Sequence, residues 1–121
     1  MSQLITYNFN LTDPDETAAL TTGAIYWVIP FAITIVHVSA APYEDDAGMT
    51  IDIQDDGTDI ITALACADKD VPGTWSSTHT GGTNAPVTAA AGSEMTIDVN
   101  AAAAANLLHV TITALVGELK A

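Results

Sequence analysis

Residues 49–64 read MTIDIQDDGTDIITAL, and this stretch decides the fold class. Apolar Met49, Ile51 and Ile53 alternate with polar residues, which is the period of a half-buried β-strand. The dipeptide Asp56-Gly57 then precedes a second β-rich run. Asp-Gly between two such runs favours a two-residue type I′ turn, because Gly accepts the positive φ that this turn requires. The stretch therefore predicts a β-hairpin.

The same period of two recurs along most of the chain. Pro30 is expected to mark a corner, and the run of alanines at 101–105 is read as either a single helical turn or, preferably, a loop of small side chains. The pattern predicts an all-β protein, an antiparallel β-sandwich of jelly-roll type with about eight strands. The predicted strands are residues 5–11, 24–29, 32–40, 49–54, 58–64, 87–90, 95–99 and 107–116.

The N-terminal segment has two possible roles. Ile5, Tyr7 and Phe9 alternate with polar residues, so the segment predicts a strand. That strand either completes the chain's own sandwich or extends as an arm that adds a strand to a neighbouring chain. We divide the chain into an N-terminal strand or arm with its connector, residues 1–23, and a sandwich domain, residues 24–121.

Composition excludes several classes of function. The 121 residues suit a single domain, and 49% hydrophobic residues argue against disorder. Two basic residues against fifteen acidic ones give a net charge of −13. This balance argues against nucleic-acid binding, which needs a basic surface, and against docking on an anionic membrane. The N-terminus has no signal-peptide pattern, and the longest apolar stretch, residues 24–33, is too short to span a bilayer.

The candidate chemical groups do not form a recognisable active site. Cys66 is the single cysteine, so no internal disulfide is possible. His37, His79 and His109 are isolated in sequence, and a zinc site would need several ligands at close spacing. No nucleophile elbow or phosphate-binding glycine loop occurs. We therefore expect no enzyme and no cofactor.

The acidic residues around Gly57 invite comparison with a calcium-binding EF-hand loop. With Gly57 at position 6, Gln54 would occupy position 3 and Ala63 position 12, where a bidentate Glu is needed. The motif fails at both positions. Solvated carboxylates at a hairpin tip are a better explanation than calcium binding, and Glu44-Asp45-Asp46 and Asp68/Asp70 could bind cations adventitiously.

Aromatic residues give the strongest suggestion of contact surfaces. Trp75 lies in residues 66–86, the longest stretch without a strand pattern, and either tucks under that loop or anchors a partner. Tyr26, Trp27 and Phe31 flank Pro30 and are expected in the core.

The segment AIYWVIPFAITIVHV, residues 24–38, resembles the opening of a small β-sandwich family found in tailed-phage virions. Further matches are MTIDI at 49–53, the Asp56-Gly57 turn, TIDV at 96–99 and a closing strand at 108–114. The turn AGSE at 91–94 also matches, with Ser-Glu in place of the family's usual Asp. The resemblance covers residues 24–116 and implies a capsid decoration protein, a tail or fibre module, or a carbohydrate-facing sandwich. It implies no catalytic residue, and the strong acidity is not part of the family pattern.

Two functions follow as expectations. The first is a structural virion protein that decorates the capsid surface. Its expected partners are the major capsid protein and further copies of itself, with which it would form a homotrimer. Neither nucleic acid nor a membrane is expected as a partner. Acidic groups steered to basic patches on the shell would make attachment weaken with salt. The alternative is a carbohydrate- or receptor-binding jelly roll of a tail fibre or spike, with Trp75 stacking on a sugar. The interface residues expected from the sequence are Ile5, Tyr7, Phe9, Trp75, Ala101 and Ala103.

Overall fold

A computed structural model describes residues 3–12, 25–100 and 107–117. These residues form nine strands and one short 3₁₀ turn, Thr78–Thr80, with no helical segment that could traverse a bilayer. The strands are β1 Leu4–Thr12, β2 Ile25–Val28, β3 Ile33–Pro42, β4 Thr50–Asp55, β5 Thr58–Ala65, β6 Gly73–Ser76, β7 Val87–Ala89, β8 Glu94–Asn100 and β9 Leu107–Val116.

The strands make two antiparallel sheets. One sheet has the order β1-β9-β3-β6, with β7 also paired to β3, and the other has the order β2-β8-β4-β5. β6 and β7 pair with different halves of β3 and together occupy one strand position. When β6 and β7 are counted as one strand, each sheet has four strands, and the strand order in the two sheets is that of a jelly roll. The predicted all-β sandwich is confirmed.

Alternating isoleucines explain the core. Ile33 and Ile35 of β3 face Ile51 and Ile53 of β4 across the two layers, and all four are fully buried. Ile112 of β9 is buried in the same cluster. Burying each such side chain contributes about 1.5–3 kcal/mol. Because the single cysteine allows no internal disulfide, this buried layer is the main stabilising contact between the two sheets.

The predicted hairpin is confirmed in detail. β4 and β5 pair from Asp55 and Thr58 onward, which leaves Asp56 and Gly57 as the two turn residues. Their φ values are 50° and 85°, as a type I′ turn requires. The turn is also tied to β8, because the Glu94 backbone N–H donates to Asp56 Oδ1 at 2.8 Å. The hairpin tip is thus ordered by its own carboxylate.

Residues 66–86 are not wholly irregular, contrary to the sequence-based reading. β6 lies within them and pairs with β3, so Trp75 stands on a strand opposite Val38. The four residues of β6 are too few to show an alternating pattern, and the strand begins with Gly73. Tertiary pairing with β3, rather than local pattern, makes this segment a strand.

The segment after β6 covers a bulge in β3. The register between β3 and β9 shifts at Val36, so its carbonyl has no partner on β9. The backbone N–H of Ser77 and the hydroxyl of Thr80 donate to that carbonyl at 2.8 and 2.9 Å. The 3₁₀ turn therefore satisfies a carbonyl that the ladder leaves free.

The Pro30 corner is present, but two of its three flanking aromatics are not in the core. Tyr26 is 59% exposed and Phe31 is 39% exposed, whereas Trp27 packs against the core. On β2, Tyr26 follows the inward Ile25 and so points outward, because alternate side chains in a strand face opposite sides. Phe31 lies in the bend after Pro30, outside any strand.

The N-terminal segment is a strand of the chain's own sheet. β1 pairs with β9 over its whole length without a register shift. Of the two roles left open by the sequence, this structure has the completed sandwich. The connector at 17–23 and the alanine run at 101–105 lie outside the described residues.

Candidate functional site

The two outer faces of the sandwich differ sharply in charge. The face of the β1-β9-β3-β6 sheet that points away from the core carries no Asp, Glu, Lys or Arg within the described residues. We call it the neutral face; its polar members are Thr6, Asn8, Asn10, His37, Ser39, Thr74, Ser76, His109, Thr111 and Thr113, and Leu4 and Leu115 lie beside each other at one end of it. In a chain of net charge −13, this is the surface that another acidic molecule, including a second copy of this chain, can approach with least repulsion.

The neutral face is built by strand register. Thr6 lies beside Thr113, which lies beside His37, which lies beside Ser76. A neighbouring row runs from Asn8 through Thr111 and Ser39 to Thr74. Because successive side chains in a strand alternate sides, these rows share one face while the isoleucines occupy the other. The result is a surface of mostly short, uncharged polar groups, with Leu4 and Leu115 as apolar neighbours at one end.

Hydrogen bonds already hold several of these side chains in place. The Thr111 hydroxyl donates to Asn8 Oδ1 at 3.0 Å and lies 3.1 Å from His109 Nε2. His109 Nδ1 lies 2.8 Å from Asn10 Oδ1. At the other side of the face, His37 Nδ1 lies 2.7 Å from the Ser76 hydroxyl. Side chains that are ordered before binding lose less conformational entropy when a partner arrives.

The outer face of the β2-β8-β4-β5 sheet is acidic. We call it the acidic face, and it carries Asp52, Asp59, Glu94 and Asp98. Tyr26 lies at its β2 edge, where a hydrogen bond with Glu94 raises the pKa of the phenol. The two faces differ in charge because the strands of one sheet carry Asp or Glu at outward positions, whereas those of the other sheet carry Thr, Ser, Asn or His there.

The acidic residues near the hairpin serve local structure. Asp52 Oδ1 accepts the Ala63 backbone N–H at 2.7 Å, and its Oδ2 accepts the Asn100 amide at 2.8 Å. Asp59 Oδ1 accepts the Gln54 amide at 2.8 Å. Within the described residues, no three His, Cys, Asp or Glu side chains come close enough to hold a metal ion.

Cys66 and the histidines also have local surroundings rather than a shared site. Cys66 is buried, and its burial together with the nearby Asp46 carboxylate raises the pKa of the thiol to about 11. His37 and His109 stand on the neutral face, on β3 and β9, and His79 stands in the 3₁₀ turn. A thiol with so high a pKa is a poor nucleophile at neutral pH.

A groove opens at one end of the neutral face. It has a volume of about 290 Å³, and Tyr43, 71% exposed, forms one wall. Its floor is largely apolar, with Asn10 and His109 on the polar side. An exposed ring beside polar side chains suits a small ligand with both apolar and hydroxyl-bearing faces. The lining residues are Asn10, Ala41, Pro42, Tyr43, Leu107, Leu108 and His109.

The interface residues expected from the sequence fall in three places. Ile5, Tyr7 and Phe9 are half-buried on the inward side of β1, where they pack against the core. The ring centroid of Phe9 is 4.7 Å from that of Trp27, and that of Tyr7 is 6.0 Å from it. Trp75 is half-buried and also packs against the core. Ala101 and Ala103 lie outside the described residues.

Sequence reasoning missed the neutral face, although its signal was present. The polar partners in the alternating strands at 5–11 and 107–116 are Thr, Asn and His, whereas those at 49–54 and 95–99 include Asp. Comparing the polar residues of each strand would have revealed two chemical types. Which strands of one type lie side by side depends on sheet order, and only the tertiary structure gives that order.

Comparison with known protein families and with curated proteins found no match in either set.

Proposed function

We propose that this chain is a non-enzymatic structural module that binds another protein through its neutral face. The sequence resemblance suggests a virion as the setting. There the bound partner would be the major capsid protein, and the module would decorate the outer capsid surface. The observation that carries the proposal is the neutral face itself, which among the residues that the structure describes carries no charged side chain in a strongly acidic molecule.

Charge depletion is the physical basis of this assignment. The centres of protein interfaces are depleted of charged residues, because each buried charge must lose its hydration. Asn8, Thr111 and His109 instead form hydrogen bonds with one another. A partner that covers them buries polar groups that already have some of their hydrogen bonds satisfied, so the desolvation penalty is small.

Two matched variants test the neutral face. Thr113→Glu places a carboxylate at the outward side of β9, and Thr96→Glu places the same group at the outward side of β8, on the acidic face; both threonines are half-buried. Capsids assembled without the chain are mixed with each variant, and binding is measured by co-sedimentation and electron cryo-microscopy. We expect Thr113→Glu to weaken binding at least tenfold and Thr96→Glu to bind like the unaltered chain.

Salt dependence separates the two faces. Docking by the neutral face is expected to hold or strengthen as salt screens the overall negative charge, whereas docking by the acidic face on basic patches would weaken. Failure to bind capsids at any ionic strength would contradict decoration. A change of binding in Thr96→Glu alone, in either direction, would assign docking to the acidic face.

A second candidate, carbohydrate binding, is favoured by the groove beside Tyr43. An exposed aromatic ring next to Asn10 and His109 offers a stacking surface and hydrogen-bonding groups. We expect glycan-array binding to be lost in Tyr43→Ala and kept in Tyr26→Ala, which removes another exposed tyrosine ring, from the opposite sheet. Absence of any glycan signal from the unaltered chain would reject this candidate.

A further inference from the structure

The open edge of β1 differs from the other strand edges of the sandwich. β2 and β6 have four residues each and β7 has three. β5 is longer, but two register shifts interrupt its pairing with β4, and Ala63 within it has a φ of 54°. Short or bulged edge strands resist pairing with other chains. β1, in contrast, has nine residues in unbroken register.

The free backbone groups of β1 can be assigned from one hydrogen bond. The Val116 backbone N–H donates to the Gln3 carbonyl at 2.8 Å, so Gln3 points its backbone groups toward β9. In an antiparallel ladder these groups alternate sides from residue to residue. The even-numbered residues therefore point their N–H and C=O groups away from β9, and no described strand pairs with them. They are Leu4, Thr6, Asn8, Asn10 and Thr12.

Charge favours a second copy of this chain as the occupant of this edge. Residues 3–12 contain no charged side chain, while the whole chain carries −13. Two copies that meet at β1 avoid opposing carboxylates, which would face each other if the acidic faces met. The usual edge protections, a lysine or a proline within the strand, are absent from β1.

We propose that two copies pair antiparallel along β1, with the two-fold axis passing between Asn8 of each copy. Asn8 is the central residue of Leu4–Thr12, so this register uses the full strand. It gives about ten backbone hydrogen bonds from the five even-numbered residues of each copy. The two five-stranded sheets become one continuous sheet, and the neutral face extends across both copies.

The same register brings the half-buried aromatics together. Residues whose numbers sum to 16 lie opposite each other, so Tyr7 of one copy faces Phe9 of the other. Both side chains point toward the core side and are only partly buried in the single chain. Tyr7 and Phe9 would form a non-hydrogen-bonded pair, in which the two Cα atoms are about 4.5 Å apart. At this distance aromatic pairs stabilise a sheet. Pairing would therefore continue the core across the axis.

This arrangement is a dimer rather than the trimer expected from the sequence resemblance. A closed trimer built by edge pairing needs β1 to meet a different edge of the next copy. The other described edges are too short or too irregular to match nine residues. Two-fold self-pairing is the closed arrangement that uses β1 over its whole length.

Disulfide cross-linking tests both the dimer and its register. In the proposed pairing the Cα atoms of residue 8 in the two copies are about 5.5 Å apart, within reach of a disulfide. The Cα atoms of residue 6 in the two copies are about 14 Å apart, because they are offset by four residues along the strand and lie on neighbouring strands. We expect Asn8→Cys to give a covalent dimer on mild oxidation and Thr6→Cys to give none. The native Cys66 is buried and does not compete.

A charge variant tests the same contact without oxidation. Asn8→Asp preserves the oxygen that accepts from Thr111 but places two carboxylates across the axis. We expect its dissociation constant, measured by sedimentation equilibrium, to rise at least tenfold at low salt and to recover in 1 M NaCl. Thr74→Asp adds the same charge to the exposed far side of the neutral face and should leave dimerisation unchanged.

Two results would overturn the proposal. One is an unaltered chain that stays monomeric at millimolar concentration in 1 M NaCl. The other is a dimer in which Thr6→Cys cross-links and Asn8→Cys does not. Neither result bears on capsid binding by the neutral face, which is measured separately.

Discussion

The carboxylate of Asp52 on β4 holds the backbone N–H of Ala63 on β5 at 2.7 Å. At this point β5 carries an extra residue relative to β4, and Ala63 has a φ of 54°, a left-handed conformation that is unfavourable for any residue with a Cβ. The bulge frees the N–H from the ladder, and Asp52 supplies the acceptor that β4 cannot. A side chain of the acidic face thus stabilises an irregular edge strand.

Removing the acceptor should destabilise the protein. Asp52→Ala leaves the Ala63 N–H and the Asn100 amide without their partner, and we expect the free energy of unfolding to fall by about 1–3 kcal/mol. Asp59→Ala removes the same charge from the same face but loses a single exposed side-chain bond to Gln54, with no backbone donor and no part-buried bond involved, so the expected fall is below about 0.5 kcal/mol. Urea denaturation of both variants makes the comparison. If both variants lose the same free energy of unfolding, the loss comes from removing a charge and not from removing the contact with the bulge.

Relieving the backbone strain at the bulge should stabilise the protein. Ala63→Gly removes the Cβ that disfavours a positive φ, and we expect the free energy of unfolding to rise by about 0.5–1 kcal/mol. Ala65→Gly, in the same strand with no positive φ, should lower it by a similar amount through the added freedom of the unfolded chain. Thermal melts of the two variants measure the difference. A fall in both would contradict the left-handed conformation of Ala63.

Gly73 allows the end of β5 to pass close to the start of β6. A Cβ built on Gly73 would lie 1.8 Å from the Ala65 carbonyl oxygen, a backbone atom that cannot move alone. We expect Gly73→Ala to lower the free energy of unfolding by about 1–3 kcal/mol or more, as overpacking does. Gly48→Ala meets open space and carries only the strain of its positive φ, about 1 kcal/mol. The prediction is wrong if chemical denaturation finds the Gly48 variant the less stable of the two.

Cys66 should make stability fall at high pH. Burial and the Asp46 carboxylate raise the pKa of its thiol from 9.0 to about 11, so the folded protein favours the neutral thiol. The unfolded chain ionises at lower pH, and the stabilisation is therefore complete below about pH 9 and lost as pH rises toward 11. The urea midpoint, measured from pH 8 to 11, should fall.

The control for this pH effect is Cys66→Ala. Burial also raises the pKa of Tyr7, so some decline with pH should remain in the variant. The part of the slope that belongs to Cys66 should disappear. Identical pH profiles for the variant and the unaltered chain would show that the thiol does not contribute.

The amino-acid sequence determined the local elements of this protein. Alternating apolar residues fix which side of each long strand is buried, and Asp56-Gly57 fixes the type I′ hairpin, because both signals act between residues that are close along the chain. They were sufficient to predict an all-β sandwich. They were insufficient for β6, since its four residues are held as a strand by pairing with β3.

Only the tertiary structure decided where chemistry gathers on the surface. Thr6 and Ser76 are seventy residues apart in the chain, yet sheet order places them in one row through Thr113 and His37. Tyr26 and Phe31 are exposed although their aromatic rings suggested burial. Strand order follows from the packing of the whole core, a sum over many distant contacts, and no short segment of sequence contains that sum.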